Sequence, residues 1–333
     1  MVHRICRRGQ ALTAERASCP HVREAGGATR ARSEGARYAW IATLVLPALL
    51  GGCGDDGEAA RRAPIAVVSA LPAEMAPIVA RVQVAESRVV ERWRLRRGQL
   101  GAREVVLLVT GVGMVNAENA MQVLLEQFEV SGVVVSGVAG SRERIGDVVV
   151  PGVWRLPDGS EFPVEGRWLT VARSLGERSQ LAFDECTEIP DRPTAPPVCL
   201  GRQPALIVGG AGSTNDPFGG RAAPCERGGG EVLGCDVDPL EPIPGTAGLR
   251  MQPQGGGFTR LAEQPVVTDM ETAVIARAAL QRGLPFIAFR AVSDGAGDPL
   301  GLPGFPAQFF VYYRLAARNA AAATLAFLDA LAE

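Results

Sequence analysis

Five near-continuous apolar runs constrain this chain more than any other feature. They are Ile65–Ala70, Val105–Val109, Val133–Val135, Ile145–Val150 and Phe286–Val292, all dominated by Val, Ile, Leu, Ala and Phe. A strand with one wet face alternates polar and apolar residues; runs such as these belong to a sheet covered on both faces. Segments with helical spacing stand between them, at about 72–82, 114–128, from Asp269 onward and at 307–331. Leu206–Val208 is a shorter run of the same β-like kind. The order predicts an α/β fold, a single domain with a central mixed, largely buried β-sheet flanked by helices. The domain spans 64–333, about 270 residues, which suffices for one large core. The stretches near 155–204 and 215–262 break the pattern. They are rich in Pro, Gly, Cys and charge and read as long surface insertions.

The first 52 residues do not belong to that core. An Arg-rich stretch precedes the apolar run Tyr38–Gly52, which is too short for a membrane span of about 20 residues. A basic region, an apolar centre and small residues describe a secretory signal. The run ends in Leu50-Gly-Gly-Cys53, which resembles the lipobox of bacterial lipoproteins. That resemblance implies a signal peptide at 1–52, lipid on Cys53, a tether over 53–63 and a membrane-anchored protein facing the periplasm or exterior.

Cysteine usage agrees with export. Of seven cysteines, Cys186, Cys199, Cys225 and Cys235 lie in the domain, an even number that suits an oxidising compartment. Cys186–Cys199 and Cys225–Cys235 are the favoured pairs, each closing a short loop, although other pairings stay open. A zinc site is the weaker reading: the spacings are wide, and both histidines, His3 and His21, precede the cut. A net charge of −2 gives no basic footprint for nucleic acid.

Charge inside the apolar pattern marks the candidate site. Glu271, Arg290 and Asp294 fall within two dozen residues, amid sequence where charged groups need a partner or a task. Thr268-x-x-Glu271 fits a capping box, which would make Glu271 a helix cap. Against that, Glu271 shares a helical face with the apolar Val274, Ile275 and Ala278. Asp294 follows a buried strand at its carboxyl end, where open α/β sheets bind ligands. Glu74 follows the first strand in the same way, although a first-turn glutamate also suits the helix dipole. Turns at Gly111-Val-Gly113 and Gly137-Val-Ala-Gly140 permit close backbone approach to a ligand, and neither fits a dinucleotide or P-loop fingerprint.

These blocks, in this order, resemble the purine nucleoside phosphorylase/uridine phosphorylase superfamily. They are Ile65–Glu74, Thr110–Gly113, Ser136–Gly140, Ile145–Val150, Asp269-Met-Glu271 and Arg290-Ala-Val-Ser-Asp294. The likeness is nearest to the methylthioadenosine/S-adenosylhomocysteine nucleosidases. It implies that Asp294 protonates N7 of a purine and that Glu271 accepts hydrogen bonds from the ribose hydroxyls beside Met270. It also implies that Glu74 handles the attacking water while Arg290 holds the carboxylates in register. Asp269, Ser293, Gly113, Gly137 and Val138 complete the implied substrate-binding set. No cofactor and no metal are implied, and a homodimer in which a neighbour helps cover the site is.

Hydrolysis and phosphorolysis separate at the glycine turn. Hexameric phosphorylases of the superfamily bind phosphate with an Arg and a Ser there; the matching residues are Val135 and Val138, which cannot hold an anion through their side chains. An acidic Glu74 near the same place would repel phosphate, so water is the expected nucleophile. Two departures accompany this. The nucleosidases usually have a Ser where Val138 stands, and the strand before the base loop is followed by Gly209–Asn215, with Phe218 the first aromatic. The sequence therefore points to hydrolysis of a purine nucleoside, with phosphorolysis or non-catalytic nucleoside binding as alternatives.

Overall fold

The structure, a computed structural model, describes residues 63–177, 181–189, 192, 194–226, 228–237 and 267–331. The expected signal segment, Cys53 and the expected tether up to residue 62 lie outside them, as does the 238–262 part of the second insertion.

The chain opens with β1 (Ile65–Ser69), all five residues buried, and turns into α1 (Pro72–Val79), with Pro72 in the first helical turn where a missing N–H costs little. An antiparallel ribbon follows, β2 (Gln83–Val90) and β3 (Trp93–Leu100), leading to β4 (Arg103–Val109). Next come α2 (Met114–Gln127), the long β5 (Gly132–Arg144) and short β6 (Val148–Val150). The first insertion contains β7 (Val153–Arg155), β8 (Glu161–Pro163), α3 (Gly166–Glu177), and the two-residue strands β9 (Cys186–Thr187) and β10 (Val198–Cys199). The chain returns to the sheet through β11 (Leu206–Val208) and β12 (Ala211–Thr214), and the second insertion carries one helical turn, α4 (Gly230–Leu233). It finishes with β13 (Val267–Asp269), α5 (Thr272–Gln281), β14 (Phe286–Ala296) and α6 (Ala307–Ala330).

Among the described residues twelve strands form one mixed sheet with the path β2-β3-β4-β1-β5-β13-β12-β7-β8; β14 pairs with β5, and β6 and β11 extend from β14. The centre is parallel: Val67 registers with Leu107 of β4 and Val134 of β5, and Ile287 with Val134 on the other side. The expected α/β fold is therefore what forms, with helices burying both faces of the central strands. Phe289 of β14 packs at a tilt against Phe327 of α6, ring centres 5.1 Å apart, and Trp168 of α3 meets the same ring edge-on at 5.6 Å.

Three expectations about elements need correction. The charged hairpin β2–β3 was absent from the sequence reading because most of β2 is exposed and carries no apolar run. The region after 155 is not simply looped: β7–β8 extend the sheet edge, and α3 packs beside α6 and β11. And the helix expected from Asp269 begins at Thr272, because Val267–Asp269 pairs with β12 and β5 as a strand instead.

Both favoured disulfides are present, Cys186–Cys199 across β9 and β10, and Cys225–Cys235 within the second insertion.

Candidate active site

The parallel strands β1, β4, β5 and β14 bring the charged residues together at and just beyond their carboxyl ends, the edge at which sheets of this kind bind ligands. Arg290 is the hub. It points inward from β14 and is completely buried. Its Nη2 donates to Asp269 Oδ2 at 2.7 Å and lies 3.5 Å from Glu271 Oε2, while Nη1 lies 3.8 Å from Glu74 Oε1. Nε and Nη2 also donate to Thr272 Oγ1, at 2.9 and 2.6 Å. An unpaired buried guanidinium would be prohibitive; this one faces three carboxylates. Glycine makes the room: a Cβ on Gly137 would sit 2.2 Å from Arg290 Nη1 and 2.7 Å from Glu74 Oε1.

Glu74 is only 1 % exposed, which removes the reading of a solvated first-turn glutamate. Its Oε2 accepts the amides of Ala70 and Leu71, at 2.8 and 2.9 Å, and Oε1 accepts the amide of Val138 at 2.7 Å. A carboxylate offers about four acceptor sites, so three amides leave one, on Oε1, for a water or hydroxyl. Burial pushes the Glu74 carboxyl above its ordinary range, against the pull of Arg290 and the three amides.

Glu271 does not cap the helix through the Thr268 box. Its Oε1 accepts the amide of Gly113 at 2.7 Å, 158 residues away in sequence. Thr268 instead shares a hydrogen bond with Ser213, at 2.9 Å. The start of α5 is held by Asp269, whose Oδ1 accepts the amides of Glu271 and Thr272 at 3.3 and 3.2 Å. Thr214 donates to the same Oδ1 at 2.6 Å, and the Thr272 hydroxyl donates to Oδ2. Asp269 is thus fully engaged behind Arg290. Burial raises Glu271 to about 8, with Arg290 opposing and Asp269 reinforcing the shift. Physically, one guanidinium cannot balance three ionised carboxylates out of water, so a proton stays within the cluster.

Asp294 stands apart on the irregular end of β14, beside Gly140 of β5. Ser293 donates to Oδ1 at 2.7 Å. A Cβ on Gly140 would come within 2.6 Å of Oδ2, so this glycine gives the carboxyl its space. Burial pushes Asp294 above the usual carboxylate range, and the Ser293 hydroxyl pulls weakly the other way. Met270 is half-buried between Asp269 and Glu271, and the Val138 side chain is buried against the core.

The structure therefore gathers Glu74, Val138, Gly113, Gly137, Asp269, Glu271 and Arg290 into one connected network, with Ser293 and Asp294 further along the same strand pair. Thr214 and Thr272 were missed from sequence. Thr272 adjoins Glu271 and signalled itself only by position; Thr214 lies in a glycine-rich stretch with no signal at all.

Buried carboxylates around an arginine at the carboxyl edge of a mixed sheet mark the candidate site of an α/β protein. The chain belongs to the Phosphorylase superfamily, whose family model matches residues 64–162 and 251–329. It is 34% identical over 245 residues to the uncharacterized protein Rv2293c of Mycobacterium tuberculosis, covering 63% of this chain and 96% of that one. It is 26% identical over 270 residues to the 5'-methylthioadenosine/S-adenosylhomocysteine nucleosidase of Geobacillus kaustophilus, covering 80% and 97%. The fold is similar to a nucleosidase of the same name from Colwellia psychrerythraea, solved with adenine. The TM-score is 0.54 and the identity 22%, over 81% of this chain and 96% of that one.

Proposed function

We propose that this protein hydrolyses the N-glycosidic bond of a purine nucleoside, with methylthioadenosine or S-adenosylhomocysteine as leading substrates. The observation that carries the reading is the pairing of two carboxyls in unlike surroundings: Glu74, where Arg290 and three amides work against burial and one acceptor site is left, and Asp294, pushed upward by burial with only the Ser293 hydroxyl opposing. Groups whose surroundings fit them to different protonation states divide acid from base work. Asp294 gives its proton to N7, the C1′–N9 bond breaks with its electron pair passing into the base, and the sugar becomes oxocarbenium-like. Glu271, held by the Gly113 amide, accepts from the ribose hydroxyls, with Met270 against the sugar. Glu74 takes a proton from water as its oxygen bonds to C1′, and nearby negative charge stabilises the cationic sugar.

Water is favoured over phosphate because the cluster already carries more carboxylates than cations. Val138 contributes a backbone amide to Glu74 and no hydroxyl. That missing hydroxyl also favours a second reading, a nucleoside-binding protein without turnover. We further propose export as a lipoprotein anchored through Cys53, and self-association as a dimer; mass analysis of membrane-extracted protein, with Cys53 unlipidated as the failing result, tests the anchor. For the reaction, a nucleoside panel with and without phosphate is followed for free base and free ribose. Phosphate-independent base release is expected. Release only with phosphate would make the protein a phosphorylase, and binding without release would establish the second reading.

A further inference from the structure

Beyond β12 the described part of the second insertion, residues 215–226 and 228–237, packs on the β4–α2 turn beside the candidate site. The ring of Phe218 rests on Gly113, where a Cβ would lie 2.9 Å from Cδ2. Asn116 of α2 donates to the Ala223 carbonyl at 2.9 Å. Cys225, disulfide-bonded to Cys235, packs on Gly111, where a Cβ would lie 2.5 Å from Sγ. Glu231 accepts from Tyr313 at 2.6 Å and Arg314 at 2.7 Å, both on α6. The buried Asp236 pairs with Arg94 and Arg96 of β3. The chain is thus fastened to the β4–α2 turn, to α6 and to β3.

We propose that this segment is a disulfide-latched cover that closes the site from within the chain, and that Phe218 is its specificity-determining residue. The inference rests on the nucleoside reading above. Gly113 is shared: its amide holds Glu271 and its α-carbon meets the phenyl ring. Asp294, which serves the base, lies over Gly140 instead. The ring therefore stands at the sugar end of the ligand. With the base on C1′ and the hydroxyls on Glu271, the group left to meet it is the substituent on C5′. A half-buried phenyl ring favours an apolar or thioether group there over a bare hydroxyl.

The test uses the full chain with methylthioadenosine and adenosine as probes. Phe218→Ala is expected to lower the preference for methylthioadenosine about tenfold, the loss falling on KM rather than kcat, with Phe218→Tyr restoring most of it. Equal losses on both nucleosides, or none, would overturn the role of Phe218. The paired Cys225→Ser and Cys235→Ser substitutions remove the latch and not the ring, so both KM values should rise together; unchanged values would overturn the latch. Equilibrium binding of the same probes to the Asp294→Asn protein reads the selectivity without turnover. Phe218-dependent selectivity there, when the parent protein releases base from neither probe, would keep the cover and sink the nucleosidase. Base release without such selectivity would do the reverse.

Discussion

Gly137 and Gly140 are spaced three apart on β5, and each is empty for a different charged group. The Gly137 gap takes Arg290 and Glu74, and the Gly140 gap takes Asp294. Gly137→Ala should therefore cost about 3 kcal/mol or more, since a methyl would part a buried guanidinium from its carboxylates. Chemical denaturation measures it, and a loss below ~1 kcal/mol would mean the network tolerates displacement. Asp294→Asn is a different kind of change. It preserves shape and the Ser293 hydrogen bond but has no proton to give, so kcat should fall by about 10²–10⁴ with nucleoside affinity little altered. Calorimetric binding beside turnover separates the two, and equal losses would remove Asp294 from the acid role. The sequence exposed Asp294, Arg290 and Glu271 because charge is conspicuous in apolar runs. It could not expose what each one touches: Glu271 meets Gly113 across 158 residues, a contact that exists only once β4 and β13 end on the same edge.

Strands and helices were legible in proportion to how completely they are buried. β1 and β4 have continuous apolar cores and could be read directly; of β5 only Val133–Val135 was legible, and Gly137–Gly140, expected as a turn, continues the strand to Arg144. The β2–β3 ribbon was not read, although Trp93-Arg-Leu95 alternates as a half-buried strand should. The junction of β13 and α5 misled for a more interesting reason. Thr268-x-x-Glu271 satisfies a local capping rule, but tertiary pairing drew Thr268 into a strand and gave the cap to Asp269. The two assignments predict opposite mutational hierarchies. If Asp269 holds α5, Asp269→Ala should cost about 2–5 kcal/mol, combining a lost helix start with the lost charged hydrogen bond to Arg290. Thr268→Ala should cost less than about 1 kcal/mol, one hydroxyl contact at a partly buried position. Thermal melting of both variants decides, and comparable losses would restore the capping box.

The pH response of the folded chain follows from its buried acids taken together. Glu74, Glu271 and Asp294 are all raised by burial, and Glu271 reaches about 8. In the unfolded chain each would ionise near its ordinary value, about 4 to 4.5. Between those values the folded protein binds protons that the unfolded one has released, so the stabilisation is complete below about pH 4 and drains away as pH rises. Each such group can remove up to about 1.4 kcal/mol per pH unit across its own window. Asp298, lowered by Tyr312 and the amides of Leu300 and Leu302 although its own partial burial opposes this, acts in the opposite sense, but only below its ordinary range. The expected result is a melting temperature that falls steadily from pH 5 to pH 8.5, the steepest loss ending near the Glu271 value. Glu271→Gln replaces the protonated acid by a neutral amide and should flatten that slope while leaving the low-pH melting temperature close to that of the parent. A flat profile in the parent would mean that Arg290 and the backbone amides keep Glu74 and Glu271 ionised throughout. The cluster would then be a fixed negative charge, and no proton would be held within it.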